Sequence, residues 1–163
     1  MKRILSVLTL CVLFVSVCGC GALRAPSIMQ VQPIRDYRYF YITPTTELVS
    51  TSGGVYGGQY GVFGSSSTNT MNPSDVISGI LLKHGFIRLP ELNPELLEET
   101  LIVNYGESGR RNLNLGYALE VTIQFLSAKT NSVVCVCTAE GQGETEGDDI
   151  RIAINRALTP LFE

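Results

Sequence analysis

The clearest alternation of hydrophobic and polar positions lies in the last third of the chain. Between residues 117 and 125 every second residue is large and apolar, which predicts a long strand with one face toward a core. A polar turn at 129–132 and a returning strand at 133–140 complete a hairpin. Shorter strands are predicted at three further places where apolar residues are frequent, namely 37–43, 86–89 and 101–105.

Two segments have the helical period instead. Asn72 suits the N-cap and Pro73 the first position of a helix whose apolar stripe runs to a stop at Gly85. A second amphipathic helix begins at Asp148 and Asp149, and a brief helix spans residues 93–99. These elements predict an α+β fold, with a four- to five-stranded, mostly antiparallel sheet and two amphipathic helices packed on one face.

The N-terminus has a different pattern. Residues 4–17 are almost wholly apolar, and the run is short for a spanning helix, which needs about 20 apolar residues. Its end, Val17-Cys18-Gly19-Cys20, resembles the lipobox of bacterial lipoprotein signal peptides. That resemblance implies cleavage before Cys20, a thioether-linked diacylglycerol on its sulfur and usually a third acyl chain on its amine. An ordinary cleaved signal and a spanning anchor are the alternatives.

The predicted organisation follows from this N-terminus. It comprises a signal peptide at 1–19, a tether at 20–36 with two prolines and no clear period, and a single domain at 37–163. Gly21 stands where well-studied proteobacteria place the Asp that retains a lipoprotein in the inner membrane. We therefore expect a protein held by its lipid on the outer membrane and facing the periplasm. Its partners would be the membrane and an envelope protein.

Several classes of function are disfavoured by the net charge, the cysteines and the single histidine. Without Lys2 and Arg3 the chain has 10 basic and 15 acidic residues, a net charge of −5, which gives no electrostatic footprint for nucleic acid. Cys135 and Cys137 share one strand face, which favours small buried hydrophobes over a disulfide or a zinc site. His84 fits a cap or packing role better than a catalytic one. No metal, cofactor or catalytic set is predicted, and we expect no enzymatic activity.

Residues 48–72 form the most unusual segment of the chain. They contain no charged residue, and repeated glycines surround Tyr56, Tyr60 and Phe63. Glycine loses much conformational entropy on ordering, so this composition favours a loop that joins a strand to a helix. The alternative is a contact loop whose three aromatic rings lie on a partner protein, a glycan or the lipid interface.

A polar stretch after the strand at 101–105 holds the other candidate residues. Arg110 and Arg111 are the only adjacent basic pair after the signal, and their guanidinium groups could bind a carboxylate or phosphate of a partner. Glu107 and Ser108 beside them suggest a nucleophile, but no general base is assignable. A polar turn with a local ion pair is the simpler interpretation.

The last 49 residues, 115–163, have a recognisable order of elements. An alternating strand, a Lys-Thr-Asn turn, a returning strand, Gly-x-Gly and an Ala-rich helix follow one another. This order resembles small periplasmic lipoproteins related to the curli secretion lipoprotein and to lipoprotein activators of penicillin-binding proteins. The resemblance implies a non-enzymatic accessory domain that binds envelope proteins. The alternatives are an envelope hydrolase or glycan-processing enzyme that uses residues 106–112, and a structural lipoprotein that links the membrane to the cell wall.

Overall fold

The computed structural model of the chain describes residues 22–43, 72–113 and 116–163. Cys20, Tyr56, Tyr60 and Phe63 lie outside these residues, so what is predicted for them stays a prediction. The described residues form two α-helices, two short 3-10 helices and six strands. In chain order these are β1 (Ser27–Gln30), a 3-10 helix (Ile34–Asp36), β2 (Tyr39–Ile42), α1 (Pro73–Lys83), β3 (Ile87–Arg88), a 3-10 helix (Pro94–Glu99), β4 (Thr100–Asn112), β5 (Tyr117–Ser127), β6 (Val133–Gly141) and α2 (Glu146–Phe162).

The α+β class is confirmed, whereas the predicted sheet differs from the one observed. The described strands form a single six-stranded sheet in the order β1-β6-β5-β4-β2-β3. The β4-β5-β6 meander and β1 are antiparallel, but β2 runs parallel to both β4 and β3. The sheet is therefore mixed and larger than the four to five mostly antiparallel strands that the sequence predicts.

The additional strand lies within the segment predicted as a tether. β1 has only four residues and no alternation of apolar and polar positions, so no periodic signal marks it. It is held by backbone pairing to the edge of β6, with Ser27 opposite Thr138 and Gln30 opposite Cys135. The described part of the predicted tether, residues 22–36, is thus part of the folded domain.

β4 is longer than the sequence indicates. It continues for 13 residues, and its polar second half pairs with β5 as far as Asn112 opposite Tyr117. The register shifts between Glu107 and Gly109, which places a β-bulge at Ser108. The stretch predicted as a polar loop is therefore a bulged strand, because β5 supplies hydrogen-bonding partners that the local sequence does not reveal.

The helix starts agree closely with the sequence. The side chain of Asn72 accepts a hydrogen bond from the Ser74 backbone nitrogen at 3.0 Å, which confirms the predicted N-cap of α1. α2 begins two residues before Asp148, because Thr145 caps it by accepting from the Asp148 backbone nitrogen at 3.2 Å.

Both helices join one hydrophobic core on a single side of the sheet. Their apolar stripes and the inward face of the strands form one cluster, whose most buried members include Phe40, Ile77, Leu81, Phe125, Ile154 and Leu158. The predicted packing of two helices on one face therefore agrees with the structure. Within the described part of the chain, no helix is both long and apolar enough to cross a membrane.

Candidate functional site

Arg110 and Arg111, the described members of the predicted contact residues, lie near the end of β4. Successive residues of a strand point to opposite faces of the sheet. The two guanidinium groups therefore serve different carboxylates, and each forms its own cluster at this end of the sheet.

Arg111 binds Glu140 of β6 in a bidentate ion pair. Its Nε and Nη2 donate to the two carboxylate oxygens at 2.8 and 2.7 Å, and the Glu140 side chain is only 2% exposed. The Arg24 backbone nitrogen adds a third donor at 2.8 Å. The Arg111 hydrogen bonds, helped by the Arg24 contacts, lower the pKa of Glu140 to about 2. This carboxylate is therefore charged at every physiological pH.

The same cluster fixes the start of the described chain. Arg111 Nη2 donates to the Ala22 carbonyl at 3.1 Å, and Arg156 Nη2 of α2 donates to the Arg24 carbonyl at 2.7 Å. Arg156 Nη1 also donates to the Glu140 carbonyl at 2.5 Å. We call Arg24, Arg111, Glu140 and Arg156 the docking cluster, since it attaches residues 22–24 to both the sheet and α2.

Arg110 belongs to a second cluster on the other face. It donates to Glu107, a carboxylate 3% exposed, at 2.5 and 3.0 Å, and it also pairs with Glu146 at the start of α2. Its guanidinium carbon lies 5.0 Å from the centre of the Tyr117 ring. Hydrogen bonding to Glu107 is the main reason that the pKa of Arg110 is raised.

These contacts change the chemistry that the polar stretch can offer. Both guanidinium groups already bind carboxylates of the chain itself, and Ser108 donates to Glu120 at 2.7 Å. A partner's carboxylate or phosphate would have to compete with these internal bonds. Partner contact by Arg110 and Arg111 stays a prediction. Sequence reasoning missed Arg24, Glu140 and Arg156, because the bonds that join them span 116 and 132 residues.

The two cysteines are buried side by side in the core. Cys135 and Cys137 are both 0% exposed, and their sulfur atoms are 3.6 Å apart in a thiol–thiol hydrogen bond. That contact lowers the pKa of Cys135 and, together with burial, raises the pKa of Cys137. The sulfur atoms converge more than a regular strand suggests. Their burial agrees with the predicted role as small hydrophobes.

A second concave site lies at the opposite end of the sheet. A cleft of about 420 Å³ is bordered by Arg35, Arg38, His84, Phe86 and Phe162. The imidazole of His84 stacks on the Phe162 ring with centroids 3.9 Å apart and planes 7° from parallel. We call this site the aromatic cleft. The sequence does not reveal it, because three separate segments supply its walls and only His84 drew attention.

Among the described residues, no group of three or more His, Cys, Asp or Glu side chains is arranged to hold a metal ion.

Comparisons with known proteins do not identify a family. No protein-family model matches the chain, and no curated protein matches it. A PelC dodecamer from Paraburkholderia phytofirmans is similar at 13% identity and a TM-score of 0.44, over 84% of this chain and 97% of that chain. A PelC variant dodecamer from the same organism is similar at 12% identity and a TM-score of 0.45, with the same coverage. TM-scores this low do not establish a common fold, and the resemblance of residues 115–163 to other lipoproteins stays a prediction.

Proposed function

We propose that this chain is a lipid-anchored, non-enzymatic accessory module of the bacterial envelope, facing the periplasm from the outer membrane. The lipobox-like Val17-Cys18-Gly19-Cys20 supports the anchor. The observation that carries the proposal furthest is the attachment of residues 22–24 to the docking cluster. This attachment begins two residues after Cys20, so it would connect the folded domain almost directly to a lipid on that residue.

A short distance between the docking cluster and the proposed anchor would hold one end of the domain at the membrane. Two extended residues span at most about 7 Å, so the docking cluster would lie next to the lipid surface. β5, with 11 residues, spans roughly 35 Å at about 3.3 Å per residue. The opposite end of the sheet, where β4 begins, would then point into the periplasm.

Lipid attachment is tested by labelling cells with a palmitate analogue. We expect the wild-type protein to carry label and to fractionate with membranes, and the Cys20→Ser variant to do neither. Label on the Cys20→Ser variant, or its absence from the wild type, would refute the anchor. Cys135 and Cys137 do not confuse this test, because both side chains are fully buried.

Orientation has a separate test in proteoliposomes that contain an acceptor-labelled lipid. Donor dyes are placed at Glu144→Cys, beside the docking cluster in the β6–α2 connection, or at Ser132→Cys in the turn at the far end. We expect strong energy transfer from position 144 and weak transfer from position 132. Equal energy transfer from the two positions, in a protein shown to be acylated, would refute the fixed orientation but would not contradict lipid attachment.

The accessory role rests on the partners of the polar residues that a hydrolase would use. Glu107 is held in an ion pair by Arg110, so its carboxylate is not placed to accept a proton from Ser108, whose hydroxyl donates to Glu120 instead. The β1 edge instead exposes two apolar side chains, Met29 at 57% and Val31 at 62%, which suits contact with an envelope protein.

Cross-linking in intact cells tests the accessory role. We expect an enriched envelope protein that is lost in a Met29→Lys, Val31→Lys double variant and kept in Leu92→Lys, a control at another exposed apolar residue. Recovery of the same partner from the double variant would exclude this edge. Deletion of residues 52–68 then tests the glycine-rich segment 48–72, with Tyr56, Tyr60 and Phe63, as the alternative contact.

A further inference from the structure

The aromatic cleft is separate from the docking cluster and is built by local chain geometry. α1 ends at Lys83 and is followed two residues later by Gly85, which has a left-handed φ of 90°. The backbone nitrogen of Phe86 donates to the Leu81 carbonyl at 3.2 Å and that of Gly85 to the Leu82 carbonyl at 3.1 Å. This turn places both His84 and Phe86 against Phe162, since the Phe86 ring meets Phe162 edge-on with centroids 6.2 Å apart.

The size of the cleft suits a small ligand. Its volume of about 420 Å³ lies within the range of roughly 300–1,000 Å³ that small-molecule sites occupy. The exposed imidazole of His84 lies flat on Phe162. One wall of the cleft is therefore a layered pair of planar rings, a surface on which a flat or ring-shaped ligand can pack.

The second feature of the cleft is positive charge that no described carboxylate neutralises. Arg35 and Arg38 both border it, and neither forms an ion pair with any described residue. Arg35 donates only to the Phe162 carbonyl at 3.3 Å, and the Arg38 guanidinium lies 5.6 Å from the centre of the Tyr39 ring. No Asp or Glu of the described ranges 22–43, 72–113 and 116–163 borders the cleft.

These two arginines contrast with most others in the described chain. Arg24, Arg88, Arg110, Arg111 and Arg151 each face a carboxylate within 4.0 Å. A guanidinium group binds a carboxylate or phosphate through directed, charge-assisted hydrogen bonds. Two such groups without an internal partner, beside a planar aromatic wall, provide complementary chemistry for a ring that carries an anion.

We propose that the aromatic cleft binds an anionic sugar. A carboxylate or phosphate of the ligand binds Arg35 and Arg38, and the C–H face of the sugar ring packs against the His84–Phe162 wall. This site lies where β4 begins, since the Arg38 backbone nitrogen donates to the Glu99 carbonyl. It is thus at the far end of the sheet from the docking cluster, and its chemistry does not depend on the lipid anchor.

His84 makes the binding directly observable. It is the only histidine of the chain, so the full-length protein without a histidine tag gives one set of imidazole NMR signals, of which the Cε1–H signal is followed. The protein, in a non-ionic detergent at fixed pH and ionic strength, is titrated with glucuronate, glucose 6-phosphate, glucose and inorganic phosphate. We expect saturable shifts of the His84 signal with one or both anionic sugars, and their relative affinities distinguish a carboxylate ligand from a phosphate ligand.

The other two probes separate the parts of the proposal. Glucose lacks the anion and loses the charge-assisted contacts with the two arginines, whereas inorganic phosphate lacks the ring and loses its packing on the His84–Phe162 wall. Both should therefore bind at least about tenfold more weakly. Absence of saturable binding by both anionic sugars would overturn the proposal. Glucose as good as glucuronate, or inorganic phosphate as good as glucose 6-phosphate, would overturn it as well.

Matched arginine substitutions locate the site. Arg35→Gln and Arg38→Gln should each weaken binding about tenfold. Arg151→Gln removes the same charge from the exposed side of α2, where its side chain is 57% exposed, and should leave binding unchanged. Circular dichroism verifies that all three variants are folded. Equal weakening by Arg151→Gln would mean general electrostatic attraction and would refute the site.

Discussion

Replacement of Glu140 by Gln tests the docking cluster most sharply. Gln keeps the shape of the side chain but removes the charge that Arg111 binds with two hydrogen bonds. It also turns an amide NH2 toward a guanidinium group, which has no acceptor to offer. Because the Glu140 side chain is 2% exposed, solvent cannot replace the lost interaction.

The expected magnitude follows from the pKa of this carboxyl. Its pKa falls from 4.5 to about 2 in the folded protein, and each pKa unit corresponds to about 1.4 kcal/mol. Glu140→Gln should therefore lower the free energy of unfolding by about 3 kcal/mol at pH 7. That agrees with the roughly 3–5 kcal/mol lost when one partner of a buried ion pair is removed.

The pH dependence has a definite sign. A carboxyl whose pKa is lowered on folding stabilises the protein above its unfolded pKa, and this contribution is lost as the pH falls through the folded pKa. The stability difference between wild type and Glu140→Gln should thus be constant above pH 4.5 and should shrink as the pH falls toward about 2. Other titrating groups, such as Asp149 with its pKa raised by burial, are common to both proteins and cancel in this difference.

The assay is urea denaturation followed by circular dichroism at pH 7, 5, 4 and 3. Glu98→Gln is the matched control, since Glu98 and its partner Lys129 have side chains 75% and 56% exposed. Such exposed pairs contribute little to stability, so Glu98→Gln should leave the free energy of unfolding nearly unchanged. A loss below about 1 kcal/mol for Glu140→Gln, or a difference that does not change with pH, would refute the docking cluster as described.

Three further predictions concern the framework around the sites. Asn72→Ala removes the N-cap of α1 and should cost about 1 kcal/mol in the same denaturation assay. Gly141→Ala should lower the free energy of unfolding by at least about 2 kcal/mol or prevent folding, because the added Cβ would lie 1.9 Å from a backbone oxygen of α2. Gly79→Ala is its control: a Cβ there meets nothing within 4 Å, so the substitution should stabilise α1 by roughly 0.5–1 kcal/mol. Cys135 and Cys137 should react with a thiol reagent only after unfolding, because both are fully buried; rapid reaction of the folded protein would contradict their placement.

The parts of the fold that the sequence predicts are those with a local period. β5, β6 and α1 each have an apolar stripe that matches their geometry, and Asn72 marks a helix start by its own chemistry. Such features depend on residues within a few positions of one another. They are therefore readable from one sequence without knowledge of the tertiary structure.

The missed features depend on partners far along the chain. β1 has no apolar alternation and exists because β6 offers a free edge more than 100 residues later. The polar second half of β4 is a strand because β5 pairs with it. Glu140 looks like one more outward polar residue of β6, and only the arrival of Arg24, Arg111 and Arg156 makes it a buried charge.

Because the docking cluster consists of ion pairs, we infer that it fixes the position of residues 22–24 more than it stabilises the fold. A buried ion pair often contributes no more than a well-packed apolar pair of similar volume, because both charges lose their hydration. Its distinguishing property is directionality, since a bidentate guanidinium–carboxylate pair fixes the arrangement of the groups that it joins. Here that arrangement includes the backbone of residues 22–24, joined to the sheet by Arg111 and to α2 by Arg156.

That property links the two proposals. A flexible tether after Cys20 would let the domain rotate freely above the lipid, and the aromatic cleft would face all directions. If the protein is anchored through Cys20 as proposed, a chain attached from residue 22 onward would instead limit the domain to a narrow range of orientations at the membrane. The cleft, at the other end of a sheet roughly 35 Å long, would then open away from the lipid surface, where soluble anionic sugars or the chains that carry them can reach Arg35 and Arg38.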